Sequence, residues 1–324
     1  MRKKLLFFAC SVIGLVSFAQ QDAQFSMNMF NRLAINPGYA GTTYSGYKSQ
    51  GICATLLYRN QWSGFSGNPT IGLLSVDYGT LWGGGVGLTV DQDQLGFDKT
   101  LKAKLAYSYH LHIRPNGVLG IGIDAGMIQK SFKGDFRSPD GYNSGNPGPD
   151  QTIPWSGSSA ITYDLGFGLY YTTKRLYIGI SSLHLPEQVL KQTGGSGGNG
   201  AFDIDYVVAR HYYVMAGYTI PAGNQLEITP SILTKSDATS TQLDVNLMAK
   251  YNKLIFAGVS YRLTDAVVGI VGIEYQGFRV GYAYDYTLSS VKKHSNGTHE
   301  IVLGYCYKFP VREFKQSHVN VRFL

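Results

Sequence analysis

The 324-residue sequence is short of most of the features by which chains of its size are sorted. Beyond the N-terminus no apolar run approaches the ~20 residues that a membrane-crossing helix needs, which excludes a helical membrane protein. Only 3 residues are cysteine, so disulfides cannot stand in for a core. Charged residues make up 15%, and Lys and Arg nowhere cluster among aromatics in the way that grips a phosphate backbone. Nucleic acid is therefore excluded as a partner. What the chain does have is 40 Gly, 24 Tyr and 16 Phe within a hydrophobic content of 44%. That apolar supply offsets chain entropy and excludes disorder, while abundant Gly and Tyr with little charge point to β-structure.

The N-terminus reads as an export signal. Arg2, Lys3 and Lys4 form a basic region, Leu5 to Phe18 an apolar one, and Ser17-Phe18-Ala19 a small-x-small cleavage pattern before Gln20. Losing residues 1–19 lowers the formal charge from +7 to +4, because three cations leave with them. Lipid attachment at Cys10 is the alternative, but it leaves almost no apolar segment ahead of the cysteine.

From about Gly51 to Phe309 the pattern has period two. Leu101, Ala103, Leu105, Tyr107, Tyr109, Leu111 and Ile113 alternate with Lys102, Lys104, Ala106, Ser108, His110 and His112, so one face is greasy and the other wet. Similar segments fall near 50–59, 70–78, 84–91, 99–113, 117–129, 162–172, 175–182, 205–220, 225–234, 241–251, 254–261, 266–275, 277–286 and 299–309. Each is near the ~9–11 residues that a tilted strand needs to cross hydrocarbon. The connections after even-numbered strands are tight, as at Arg114-Pro115-Asn116, Thr173-Lys174 and Asn252-Lys253. Those after odd-numbered strands are mostly long and polar: 60–69, 130–161, 183–205 and 287–298, with 262–265 the short exception. A soluble β-sandwich has no reason for such an alternation, and the small, polar second face would pack poorly as its core. The expected fold is all-β, a transmembrane antiparallel β-barrel of ~14 strands in the outer membrane, with lipid around it and both chain ends in the periplasm. Residues 20–49 then form an N-terminal plug or docking segment, 50–309 the barrel, and 310–324 a basic periplasmic tail.

The segment before the first strand carries a further signal. Gln21-Asp22-Ala23-Gln24-Phe25-Ser26, Met29-Phe30-Asn31, Leu33-Ala34-Ile35-Asn36-Pro37 and Tyr39-Ala40-Gly41 follow one another, and Arg59-Asn60-Gln61-Trp62-Ser63-Gly64-Phe65-Ser66-Gly67-Asn68-Pro69 and Tyr107-Ser108-Tyr109-His110-Leu111 come later. In this order the motifs resemble those of the PorP/SprF family of Bacteroidota outer-membrane proteins. Ala23 and Arg32 stand where that family commonly has Pro, and Val321-Arg322-Phe323-Leu324 matches its ending only loosely. The resemblance implies a non-enzymatic component of the type IX secretion system, linked to gliding motility and to surface adhesins. The partners it implies are an adhesin or its C-terminal sorting domain, a periplasmic ring lipoprotein, and a peptidoglycan-binding protein.

Phe25, Met27, Met29, Phe30, Asn36, Pro37, Tyr39, Trp62 and Phe65 are the candidates for plugging the lumen or docking a partner, since apolar side chains off the strands need cover. Trp155 is a candidate anchor on the external loops, and Arg312, Lys315 and Arg322 are candidates on the tail. His110 and His112 share a face but lack companion ligands, so a wet lining is expected there rather than a metal. Ser181 and His184 have no context of a catalytic pair, the string 194–200 lacks the Lys-Ser/Thr of a phosphate loop, and no enzyme activity or cofactor is expected. Cys53 and Cys306 fall on the inner face of the first and last strands, where closure would bring them together as a possible disulfide. The rival reading of the whole chain is a diffusion channel for small or hydrophobic solutes.

Overall fold

A computed structural model describes residues 22–44, 50–80, 83–113, 117–132, 158–193 and 203–310. Its strands are β1 (Gln50–Asn60), β2 (Thr70–Gly79), β3 (Gly84–Leu95), β4 (Asp98–Ile113), β5 (Gly117–Phe132), β6 (Ser158–Thr172), β7 (Leu176–Leu183), β8 (Val189–Thr193), β9 (Asp203–Val207), β10 (His211–Tyr218), β11 (Ile220–Ala222), β12 (Leu226–Ser236), β13 (Thr241–Tyr251), β14 (Ile255–Arg262), β15 (Ala266–Tyr275), β16 (Phe278–Thr287) and β17 (Thr298–Phe309). β11 continues β10 after Thr219, and β8 with β9 makes a separate hairpin. The remaining 14 strands pair antiparallel around a closed ring in which β1 meets β17. Closure leaves no unpaired edge, the condition for β-structure in hydrocarbon.

Alternation decides which side chains face the lipid. Leu105, Tyr107, Tyr109 and Leu111 of β4, Ile123 and Met127 of β5, and Val271 and Ile273 of β15 all point outward and are exposed. An apolar belt of this extent would aggregate in water and is covered by hydrocarbon in a membrane. Inward positions are buried even when polar, as with Lys104, Ser108 and His110 of β4.

The two ends of the barrel differ. At the turn end, strands are joined by short connections such as 173–175, 252–254 and 276–277, and there β1 begins and β17 ends. At the loop end the connections are longer, but 96–97, 237–240 and 263–265 are short. The β3–β4 connection is tight because β3 continues to Leu95 in register with Asp98, beyond the expected end at residue 91. Strand 205–220 also differs from expectation. It breaks at 208–210, where the Val208 N–H bonds Gln188 O and Arg210 bonds Leu185 O. These bonds fold the β8–β9 hairpin over the mouth, where Leu190 and Val208 pack on the inward Ile128 and Lys130 lies over the Tyr206 ring.

Candidate functional site: the occupied lumen

Residues 22–44 run inside the barrel from Asp22 at the loop end to a last turn at Thr42–Tyr44 near the turn end. They form a short helix, α1 (Arg32–Ile35), between 3-10 turns at Asn28–Phe30 and Pro37–Tyr39. A segment this irregular cannot satisfy its own backbone, and buried backbone groups without partners cost heavily. The inward side chains of the barrel supply what it lacks. Glu300 accepts the N–H groups of Ser26 and Met27, each at 2.7 Å. Ser181, Ser108 and His110 donate to the carbonyls of Ile35, Gly38 and Ala40 at 2.6, 3.0 and 2.9 Å, and the Gly41 N–H donates to Asp77. Asn36 caps the Pro37 turn by accepting the Gly38 N–H, and its amide donates to Leu169 O and Ile180 O on the paired strands β6 and β7.

Packing fills the rest. Met27 is fully buried among Phe256, Val268, Ile270, Ala283 and Val302, and Phe30 lies 5.2 Å from the Phe256 ring with the Arg279 guanidinium above it. Ile35 sits among Tyr170, Leu183, Tyr213, Met215 and Leu233. Arg32 stacks on Tyr177 and donates to the Tyr170 hydroxyl at 3.0 Å. Opposite Pro37 and Gly38 the wall is glycine: a Cβ on Gly122 would come within 2.3 Å of the Pro37 carbonyl carbon, and one on Gly120 within 2.0 Å of Gly38 O. The small residues of the inner face are thus the seat of the segment's backbone. The expectation of a wet lining fails at His110, which is 4% exposed beneath Ala40.

Two ionic clusters hold the loop end. In the first, Arg59, 1% exposed, pairs with Asp285 and Glu300 at 2.9 Å each, and Arg262 pairs with Asp285 at 3.1 Å. Ser26 donates to Asp285 in the middle of them. In the second, Asp22 takes Lys102 at 2.8 Å, the Tyr213 hydroxyl at 2.9 Å and His184 Nε2 at 3.1 Å. Burial works to raise the Asp22 carboxyl, but Lys102, then His184 and His211, hold it well below the usual carboxylate range. Burial works to lower His184, yet Asp22 and Asp164 raise it above the usual histidine range.

Of the sequence candidates, Met27, Met29, Phe30, Asn36, Pro37 and Tyr39 meet inside the barrel, and Phe25 lies half-buried beside a cavity of about 50 Å³. Trp62 and Phe65 do not join them. They sit on the β1–β2 connection at the loop end, where Phe65 is exposed and Ser63 exchanges backbone bonds with Asn296 and Gly297. Trp155, Arg312, Lys315 and Arg322 lie outside the described residues. Cys53 and Cys306 face each other in the β1–β17 register with their sulfurs 2.11 Å apart. The residues missed by sequence reasoning include Arg59, Arg262, Asp285 and Glu300 of the first cluster and Asp22, Lys102, His211 and Tyr213 of the second. The signal of the first four was a charge at inward parity on strands otherwise apolar or small.

A family model described as "Type IX secretion system membrane protein PorP/SprF" matches residues 17–305. No curated protein matches the chain. Similar solved structures include the toluene transporter TbuX of Ralstonia pickettii, 13% identical with a TM-score of 0.46 over 86% of this chain and 93% of that one. The translocator domain of the autotransporter NalP from Neisseria meningitidis is also 13% identical, with a TM-score of 0.44 over 87% and 95%. The Pseudomonas putida toluene transporter TodX is 12% identical, with a TM-score of 0.45 over 85% and 92%.

Proposed function

The chain belongs to the PorP/SprF family of type IX secretion system membrane proteins, as an integral outer-membrane barrel of that system, and on this premise we propose that it anchors or exports surface adhesins during gliding motility. In this reading the loop end faces outward and meets an adhesin or its C-terminal sorting domain, with Trp155 as one anchor. The turn end, with the starts of β1 and the tail at Arg312, Lys315 and Arg322, faces the periplasmic ring lipoprotein and the peptidoglycan-binding protein. The observation that supports it is the lumen, occupied by the chain's own segment, which is held at the loop end by the Asp22–Lys102 ion pair and by the bonds of Ser26 and Met27 to Glu300 and Asp285. An anchor needs a rigid wall and has no use for an open pore.

One feature favours the channel reading. A cavity of about 350 Å³ lies between the segment and the wall at the turn end, lined in part by Met29, Phe30, Leu33, Tyr39, Met248 and Phe256. It is apolar enough on one side for a small hydrophobic solute. Affinity purification from native outer membrane in mild detergent, followed by mass spectrometry, separates the two. Recovery of an adhesin or of ring subunits is the expected result. A barrel that purifies alone and passes solute at a rate set by the segment would overturn the anchoring reading.

A further inference from the structure

Asp22, His184 and His211 bring a carboxylate oxygen and two imidazole nitrogens within 4.8 Å of one another at the loop end of the lumen. They come from three separate stretches of chain: the start of the inner segment, the residue after β7, and the first residue of β10. Both rings are oriented from behind. His184 Nδ1–H donates to Asp164 at 2.9 Å, and His211 Nδ1–H donates to Ala209 O at 2.9 Å. His184 thereby turns its Nε2 to the Asp22 carboxylate at 3.1 Å, while His211 turns its Nε2 to the Asp22 backbone N–H and lies 3.9 Å from the carboxylate through Nδ1. A carboxylate or carbonyl acceptor behind a histidine is the arrangement that fixes the tautomer and raises the basicity of metal-bound imidazoles.

We propose that Asp22, His184 and His211 form a binding site for a divalent transition-metal ion, zinc by its ligand chemistry, that ties the inner segment to the barrel wall. Two imidazoles and a carboxylate with a fourth position open are a donor set suited to zinc. Asp22 can still serve although Lys102 binds one of its oxygens and Tyr213 the other, since a carboxylate offers about four lone-pair sites. The neighbouring amines do not dominate the charge. With His184 neutral, as a metal ligand must be, Lys102, Lys104 and Lys235 are set against Asp22, Asp91, Asp93, Asp124 and Asp164 along the same wall, so the surroundings favour a cation. Room exists as well: a cavity of about 40 Å³ is lined by Asp22, His184 and His211, with Asp93 and Tyr206 opposite. An ordered water needs only about 10–15 Å³ of such space. The Asp22 N–H now fills the His211 Nε2 lone pair at 3.1 Å, and the ion would take its place there while the His184 Nε2 proton that now bonds the Asp22 carboxylate is released to solvent. The β8–β9 hairpin, through Tyr206 and Val208, roofs the site against solvent.

The test uses the full-length, tag-free protein in detergent, stripped with chelator and titrated with zinc against a chromophoric competitor. One zinc per barrel should bind with a dissociation constant below about 1 μM. Cobalt in its place should give the visible absorption of a four-coordinate nitrogen and oxygen site. Asp164→Asn, which touches the ion only through His184, should weaken binding about 10–100-fold, and the pair His184→Ala with His211→Ala should abolish it. Folding of each variant is read independently from its heat-modifiable gel mobility. The proposal is overturned if the wild-type protein binds no stoichiometric zinc, if the double variant binds as tightly, or if a folded Asp164→Asn variant binds unchanged.

Discussion

Glu300 is the residue on which the hold over the inner segment is most concentrated, and Glu300→Gln measures that hold. The carboxylate is fully buried, accepts the Ser26 and Met27 N–H groups, and pairs with Arg59, its direct neighbour across the β1–β17 seam. Glutamine keeps the shape but has one accepting oxygen, so its NH₂ must face either an amide or the guanidinium. Breaking a buried ion pair from one side costs about 3–5 kcal/mol. Arg59 retains Asp285 at 2.9 Å, which puts the loss at the low end of that range. Two charge-assisted bonds at about 1.5 kcal/mol each lead to the same figure of about 3 kcal/mol. At about 1.4 kcal/mol per tenfold, the Ser26–Met27 turn should open about 100-fold more often. Amide hydrogen exchange followed by mass spectrometry reads this directly, as faster exchange at Ser26 and Met27 with Gly38 and Gly41 little changed. Unchanged protection at Ser26 and Met27 would refute the reasoning, and equal acceleration at Gly41 would show that the barrel itself had loosened.

Other substitutions address the remaining contacts. Gly122→Ala places a methyl 2.4 Å from the Gly38 nitrogen, where only backbone could yield. The segment should leave its seat while the barrel stays folded, seen as raised planar-bilayer conductance and new protease cleavage within residues 22–44, and a quiet, protected variant would argue against the close approach. Asn36→Ala removes donors to Leu169 O and Ile180 O and the acceptor for Gly38, and should lower the unfolding free energy by about 1–3 kcal/mol; an unchanged denaturation midpoint would count against the cap. Cys53 and Cys306 should resist a thiol reagent in denatured, unreduced protein and react after reduction, whereas labelling of both without reductant would rule out the cross-link. Deleting residues 22–41 should open a conducting pore, and unchanged conductance would mean the segment does not obstruct the lumen.

Much of the barrel was legible because its rules are local. Period-two alternation and the contrast of tight and long connections follow from a single constraint, hydrocarbon outside and a closed ladder within. The Cys53–Cys306 juxtaposition was legible for the same reason, since closure pairs the first strand with the last. What failed to show was set by partners distant in sequence. Gly120, Gly122 and Ser108 look like the lining of a wet channel until Pro37 and Gly38 are laid against them. Glu300 and Arg262 look like ordinary lumen charges until Ser26 arrives between them. The break at 208–210 is invisible to periodicity because β9 keeps the same period two while pairing with β8 instead of the barrel. Trp62 and Phe65 share the apolar character of the inner segment, but character does not say at which end of the barrel a connection lies.

The distribution of these contacts along the segment has a mechanical consequence. Charged contacts of Asp22 and Ser26 crowd the loop end, Met29 and Phe30 follow beside the cavity, and the Pro37–Gly38 stretch, nearest to β1 in sequence, is seated on Gly120 and Gly122. The chain leaves the lumen at the turn end to enter β1. A pull delivered there loads first the contacts nearest the exit, the Gly41 N–H on Asp77, the Ala40 and Gly38 carbonyls on His110 and Ser108, and the Asn36 amide on Leu169 O and Ile180 O. The Glu300 and Asp285 bonds to Ser26 are loaded last, and they are charge-assisted, short and buried, so they resist until geometry fails. The hold at Ser26 and Met27 is therefore the last that a load applied through β1 reaches, and the loop end of the lumen stays filled for as long as it remains.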